Sequence, residues 1–235
     1  DDGVSSGTIT GFTSAGADYV RLDTSEPLAA ECVEGHDCEL SLNLGLRKVS
    51  RLGLTGFTTT TYTDQIATLI HEFKEGNQTS LAAKFAQAML PALLSFDFSN
   101  CTLVNMPSKK ISFETRGFVP AKLLSQRLSW QVAKSMKILL PVYSGLGYTP
   151  LMASHISDQA ALSGKDRRTN LVGTMRALGR PKFDRAILVD DIVTTGSTLA
   201  EAKRALGDIG VEVLGFVTFA ETLPKNLQKG HAKSV

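Results

Sequence analysis

The chain has 235 residues, of which 43% are hydrophobic and 20% charged, an ordinary globular balance that supplies a core for one large domain or a domain with an appendage. Its net charge of +2 is too small to argue for a nucleic-acid coat or an anionic membrane surface, and no apolar run approaches the roughly 18 residues needed to cross a bilayer. Three cysteines, Cys32, Cys38 and Cys101, give no even disulfide framework and fit a reducing compartment; with neither a cationic nor an apolar leader region in the opening DDGVSSGTIT, no signal peptide is expected and the cytoplasm is the expected location.

Residues 1–62 are rich in Gly, Thr and Ser, and runs such as DYVRLDT and CELSLNL alternate enough to predict short strands. This stretch reads as an N-terminal β-rich appendage or hood. The texture changes at Thr63, a plausible N-cap for a helix that places Ile66, Leu69, Ile70 and Phe73 on one face and closes near Gly76. SLAAKFAQAMLPALL predicts a second helix, perturbed or ended near Pro91. CTLVNMP predicts a buried strand stopping at Pro107, PAKLLSQRLSWQVAKSM a helix opened by Pro120, and ILLPVY another strand. RAILVDD, STLAEAKRALGDIG and VEVLGFVTFAE then read as strand, helix and strand, with Gly210 at the end of the helix. Alternation of this kind predicts an α/β fold, a parallel sheet with helices on both faces, whose ligands sit at the carboxyl ends of strands. Residues 63–222 form that core, and residues 223–235 a loose basic tail.

The most informative stretch is ILVDDIVTTGSTL, Ile187–Leu199. An apolar strand delivers Asp190 and Asp191, and the turn from Val193 to Ser197 leads into a helix. Unpaired N–H groups and the positive end of the helix dipole suit a phosphate there. Thr194, Thr195, Ser197 and Thr198 add hydroxyl donors, and Gly196 lets the backbone approach an anion closely. Carboxylates beside a phosphate site suit sugar hydroxyls, or magnesium bridged through water. Phosphate, diol and Mg²⁺ together describe a phosphorylated ribose. The plainer reading, in which Asp190 and Ser197 merely cap a turn, leaves most of these polar residues unexplained. No GxxxxGK[ST] is present, and GLGYTP at Gly145 lacks the last glycine of GxGxxG.

ILVDDIVTTGSTL resembles the phosphoribosyl pyrophosphate (PRPP) signature of type I phosphoribosyltransferases. The resemblance implies Asp190 and Asp191 on the ribose hydroxyls, with tentative magnesium contact through water or ribose, and residues 194–198 around the 5′-phosphate. DQAALSGKDRRTNLVGTM carries Gln159, Leu162, Arg167 and Asn170; FETRGFVPAKLL carries an Arg-Gly-Phe before a helix; an IHEFKEGN helix lies upstream. That order resembles the ComF family, phosphoribosyltransferase-like proteins associated with competence and DNA uptake, over about Thr63 to Thr222. The pattern departs at Asn105-Met106-Pro107, where the family usually has Pro-Val-Pro, and at Val119-Pro120, where it usually has Asn-Gln. Many members begin with a four-cysteine zinc module; here Cys32, His36 and Cys38 supply only three poorly spaced ligands, and no zinc is expected.

By comparison with type I transferases, Ser108, Lys109 and Lys110 fall where a pyrophosphate loop lies, and KKISFETRGF where a mobile flap lies. Arg116 is a candidate phosphate clamp, its rival role being a salt bridge to Glu114, and Arg167 a candidate pyrophosphate contact. Phe113 and Phe118 are candidates for stacking on an acceptor base, or core; Trp130 reads as packing, and His71 as exposed. The function expected is transfer of phosphoribose from Mg-PRPP to an acceptor, nucleobase or amine, that the sequence does not specify. Asp190 and Asp191 would orient the ribose, while Lys109 and Arg116 stabilise departing pyrophosphate. The alternative is a non-catalytic PRPP- or nucleotide-binding protein acting with DNA-uptake proteins; single-stranded DNA binding is disfavoured by an aromatic content of 7%. Homodimers are common in the resembled family.

Overall fold

Unbroken apolar runs cannot face water on either side, so they settle in the middle of a covered sheet. The computed structural model describes residues 18–22, 40–149 and 172–223. They fall into two compact units divided at Gly45. In the first, β1 (Asp18–Leu22) and β2 (Leu40–Leu44) form an antiparallel pair. The second opens with β3 (Arg47–Arg51) and β4 (Leu54–Thr61), then α1 (Asp64–Lys74) and α2 (Leu81–Leu94). It continues through β5 (Cys101–Asn105), α3 (Lys110–Arg116), α4 (Pro120–Met136), β6 (Val142–Tyr143) and β7 (Leu146–Tyr148). After the undescribed residues come β8 (Met175–Ala177), β9 (Arg185–Val193), α5 (Ser197–Gly207) and β10 (Glu212–Glu221).

Six strands join in the order β3-β4-β10-β9-β5-β6, parallel except for the antiparallel β3–β4 hairpin at one edge. The expected α/β architecture is therefore present. β5 is buried at every position, and Ala186 to Val189 of β9 are fully enclosed, which places both in the sheet centre. Side chains of β10 alternate between two cores. Phe219 stacks on Phe85 of α2 with ring centroids 4.1 Å apart, and Phe85 meets Phe73 of α1 edge-on at 5.4 Å. On the other face Phe216 and Leu188 pack with Leu199, Ala202 and Leu206 of α5. Gly56 of β4 makes room for Phe216, since a Cβ there would lie within van der Waals radius of the ring. β7 and β8 form a separate antiparallel pair, and the buried Glu201 carboxylate of α5 accepts the Met175 N–H at 2.9 Å.

Three local expectations need correction. β3 and β4 lie in the stretch read as an appendage, yet they hydrogen-bond into the main sheet, with Thr58 of β4 beside Thr218 of β10. The threonines Thr58–Thr60 look polar in sequence but are buried, and Thr58 and Thr59 donate to the carbonyls of Phe219 and Ala88. α2 runs through Pro91 to Leu94; burial of Phe85, Met89 and Leu93 outweighs the one backbone bond a proline forfeits. ILLPVY yields only a two-residue strand, leaving Ile138 and Leu139 exposed. Elsewhere the signals act as read. Thr63 caps α1 by accepting the Ile66 N–H, and Pro120 opens α4. Cys32, His36, Cys38, Gln159, Leu162, Arg167, Asn170 and the tail from residue 224 lie outside the described residues.

The Phe85–Phe219 contact ties α2 to the strand next to β9. Phe85→Ala should destabilise the protein by about 3–5 kcal/mol in urea unfolding, whereas a loss under about 1 kcal/mol would show that this aromatic layer is dispensable.

Candidate active site

Parallel strands β4, β10, β9 and β5 all end at the same side of the sheet, so whatever follows them converges there. β9 carries Asp190 and Asp191 as far as this side, the two carboxyl groups lying close to one another. Asp191 is buried and points toward α1, where Lys74 Nζ lies 2.6 Å from its Oδ2. Asp190 accepts the Asp191 N–H at 3.0 Å and keeps part of its surface open to solvent. Crowded surroundings, and then the adjacent Asp191 charge, push the Asp190 carboxyl well above the usual carboxylate range, while Lys74 opposes the shift. Tyr148 of β7 feels the same acid: burial first, then Asp190, push its phenol up to about 12.

Beyond Val193 the chain turns through Thr194 and Thr195 into Gly196, which caps α5 in the left-handed conformation at φ 80°. A glycine cap has no side-chain oxygen, so the helix start is left open rather than plugged. Among the described residues only the Ser197 N–H of this turn has an acceptor, Thr195 Oγ1 at 3.3 Å, and Thr195 and Ser197 share a hydroxyl contact of 2.9 Å. The amides of Thr194, Thr195, Gly196 and Thr198 have no hydrogen bond among the described residues. In place of the Ser197 cap of the plainer reading, Gly196 stands at the cap and Ser197 is the first residue of α5.

The loop is held from below by residues that sequence reading missed. Arg51 of β3 donates to Thr194 O at 3.0 Å and Thr222 O at 3.1 Å, and pairs with Glu221 at 2.8 Å. Arg47 takes the other oxygen of the buried Glu221 at 2.9 Å. Even spacing puts both arginines on one face of β3, but nothing local announces a glutamate 170 positions away.

The remaining candidates are more dispersed. Ser108, Lys109 and Lys110 follow β5 into α3; Lys109 and Lys110 are exposed, and Lys110 lies 3.7 Å from Glu114. The segment read as a flap is largely helical, α3 closing at Gly117 with φ 77°. Arg116 does not pair with Glu114: its Nε donates to Ser112 O at 2.9 Å, and its guanidinium lies 3.6 Å from Glu75. Glu75 follows Lys74, so the end of α1 touches both the acid pair and α3. Asn105, one of the departures from the family pattern, is buried and accepts the Ser144 hydroxyl at 2.6 Å. Phe118 packs 6.0 Å from Phe73, Phe113 is exposed, and Trp130 is 53% exposed beneath Lys134 rather than packed. Arg167 is outside the described residues.

An open, Gly-capped turn thus follows paired acids near the end of a central parallel strand. A family model described as the phosphoribosyl transferase domain matches residues 111–234. Competence protein F of Haemophilus influenzae is 30% identical over 160 residues, covering 64% of this chain and 66% of that protein. DNA utilization protein YhgH of Salmonella typhimurium is 28% identical over 152 residues, 62% of each chain. A hypoxanthine/guanine phosphoribosyltransferase of Methanosarcina mazei is 46% identical over 46 residues, 20% of this chain and 24% of that enzyme. The chain belongs to the phosphoribosyltransferase domain family, in the branch that contains competence protein F. It spans just under two thirds of the length of the curated relatives it matches most widely. No helix among the described residues is long and apolar enough to cross a membrane.

The acid pair has a stability signature. Because the folded state raises the Asp190 pKa, its contribution is fully present below the ordinary value of about 3.9 and is lost as pH rises through the raised value. The melting temperature should therefore fall as pH is raised from about 5 to about 9, and Asp190→Asn should flatten that slope. An unchanged slope in the variant would show that Asp190 is ionised without cost.

Proposed function

We propose that the protein binds the magnesium complex of PRPP at this site and transfers phosphoribose to a nucleophilic acceptor, nucleobase or amine, with release of pyrophosphate. The observation that carries the proposal is that the amides of Thr194, Thr195, Gly196 and Thr198 have no hydrogen bond among the described residues, at a turn two residues beyond adjacent carboxylates. Amides and hydroxyls of the turn would hold the 5′-phosphate, as helix starts hold anions. Asp190 and Asp191 would accept hydrogen bonds from the ribose hydroxyls and fix the sugar. In the reaction the bond from ribose C1 to the pyrophosphate oxygen breaks, its electron pair leaving with pyrophosphate. The acceptor's lone pair forms the new bond to C1, and the acceptor gives up its proton. Ser108, Lys109, Lys110, Arg116 and Arg167 are the proposed donors to the leaving group.

With Asp190 protonated in the free protein and Lys74 against Asp191, the cluster is weak for a free ion; a cation arriving with its phosphate ligands would draw the proton from Asp190 and meet one net negative charge. Asp190 and Asp191 therefore fit magnesium, which when bound offsets charge on the pyrophosphate. A second reading, a PRPP- or nucleotide-binding protein of competence and DNA uptake without transfer, is favoured by the engagement of Arg116 with Glu75.

Calorimetry tests binding, with Mg-PRPP expected to bind and Asp191→Asn to weaken it at least about tenfold. Absence of heat well into the millimolar range would refute the proposal. Pyrophosphate release against a panel of nucleobases and amines separates the readings: release supports transfer, and tight binding without release supports the binding-only role.

A further inference from the structure

We infer that Arg51, outside the matched residues 111–234, is the residue that positions the phosphate-binding turn. The inference rests on the reading of Thr194–Thr198 as a phosphate cup and adds what holds that cup in shape. Arg51 Nε donates to the Thr194 carbonyl at 3.0 Å. In a planar trans peptide the C=O and N–H point in opposite directions, so fixing the Thr194 oxygen toward Arg51 turns the Thr195 N–H to the opposite side of the turn. The same side chain lies against Gly196, where a Cβ would meet the Arg51 Cβ, and the left-handed φ of 80° there is a second demand for glycine. The turn thus rests on the arginine stem with the Thr195 N–H facing away.

Arg51 is itself held. Glu221, buried at the end of β10, takes Arg51 on one oxygen at 2.8 Å and Arg47 on the other at 2.9 Å, and Arg51 also donates to Thr222 O at 3.1 Å. The planar fork reaches the Thr194 carbonyl from Nε and the Glu221 carboxylate and Thr222 carbonyl from Nη2, a fixed spread that the single nitrogen of an ammonium does not reproduce. Arg51 does not touch the proposed ligand; it acts by orienting backbone.

The test is calorimetry on the full chain with ribose 5-phosphate and, separately, inorganic pyrophosphate, for wild type, Arg51→Gln, Arg51→Lys and Glu221→Gln. Arg51→Gln should weaken ribose 5-phosphate by about tenfold to hundredfold, the size expected for a lost hydrogen bond to a charged group, and leave pyrophosphate within about twofold. Arg51→Lys should recover only part of the loss, and Glu221→Gln should show a smaller loss with the same selectivity. Wild-type affinity for ribose 5-phosphate in both the Arg51→Gln and Glu221→Gln variants overturns the inference, as does equal weakening of both ligands. If wild type binds no sugar phosphate, the phosphate-cup reading itself fails.

Discussion

The first N–H groups of a helix have no partner within the helix, and where no side chain caps them they are met by water or by an anion from outside. Near the end of β9 this chain passes from an enclosed apolar run through two acids, Ile192 and Val193 into a solvent-exposed turn, where the amides of Thr194, Thr195 and Gly196 have no hydrogen bond among the described residues. The glycine cap of α5 keeps them open, because Gly196 has no hydroxyl or carboxylate to fold back over the helix start. Everything proposed for this site depends on those donors meeting an anion.

The acids beside the turn obey a second constraint. Two carboxylates on consecutive residues repel, and their burial makes ionisation harder still. Lys74 relieves one of them from the opposite helix, at 2.6 Å, while Asp190 stays partly open to solvent with its carboxyl pushed upward. A sugar diol, donating to both, would ease the same strain. The turn and the acids are held by different elements, Arg51 and Glu221 below and Lys74 to the side. The turn and the acid pair are thus separately supported parts of one strand end.

How much of this was legible follows from distance along the chain. The strand, both acids, the glycine and the helix start lie within Ile187–Leu199, and the parallel order of the sheet follows from alternating apolar runs. Lys74, Arg51 and Glu221 act across the fold, and no local pattern distinguishes them from solvated surface charges. Arg116 shows the same limit: Glu114 was its nearest acid in sequence, but helix geometry gives Glu114 to Lys110 and tertiary packing gives Arg116 to Glu75. β4 was obscured because Thr58–Thr60 read as polar, although their hydroxyls are satisfied inside the sheet or at α2.

The central claim is that the donors of this turn bind the phosphate of a sugar phosphate. Backbone amide resonances of the ¹⁵N-labelled protein, followed while ribose 5-phosphate is added, read those donors directly. The account predicts large downfield shifts for the amides of Thr195, Gly196 and Thr198, saturating together. Amides that stay fixed while resonances elsewhere move would contradict it.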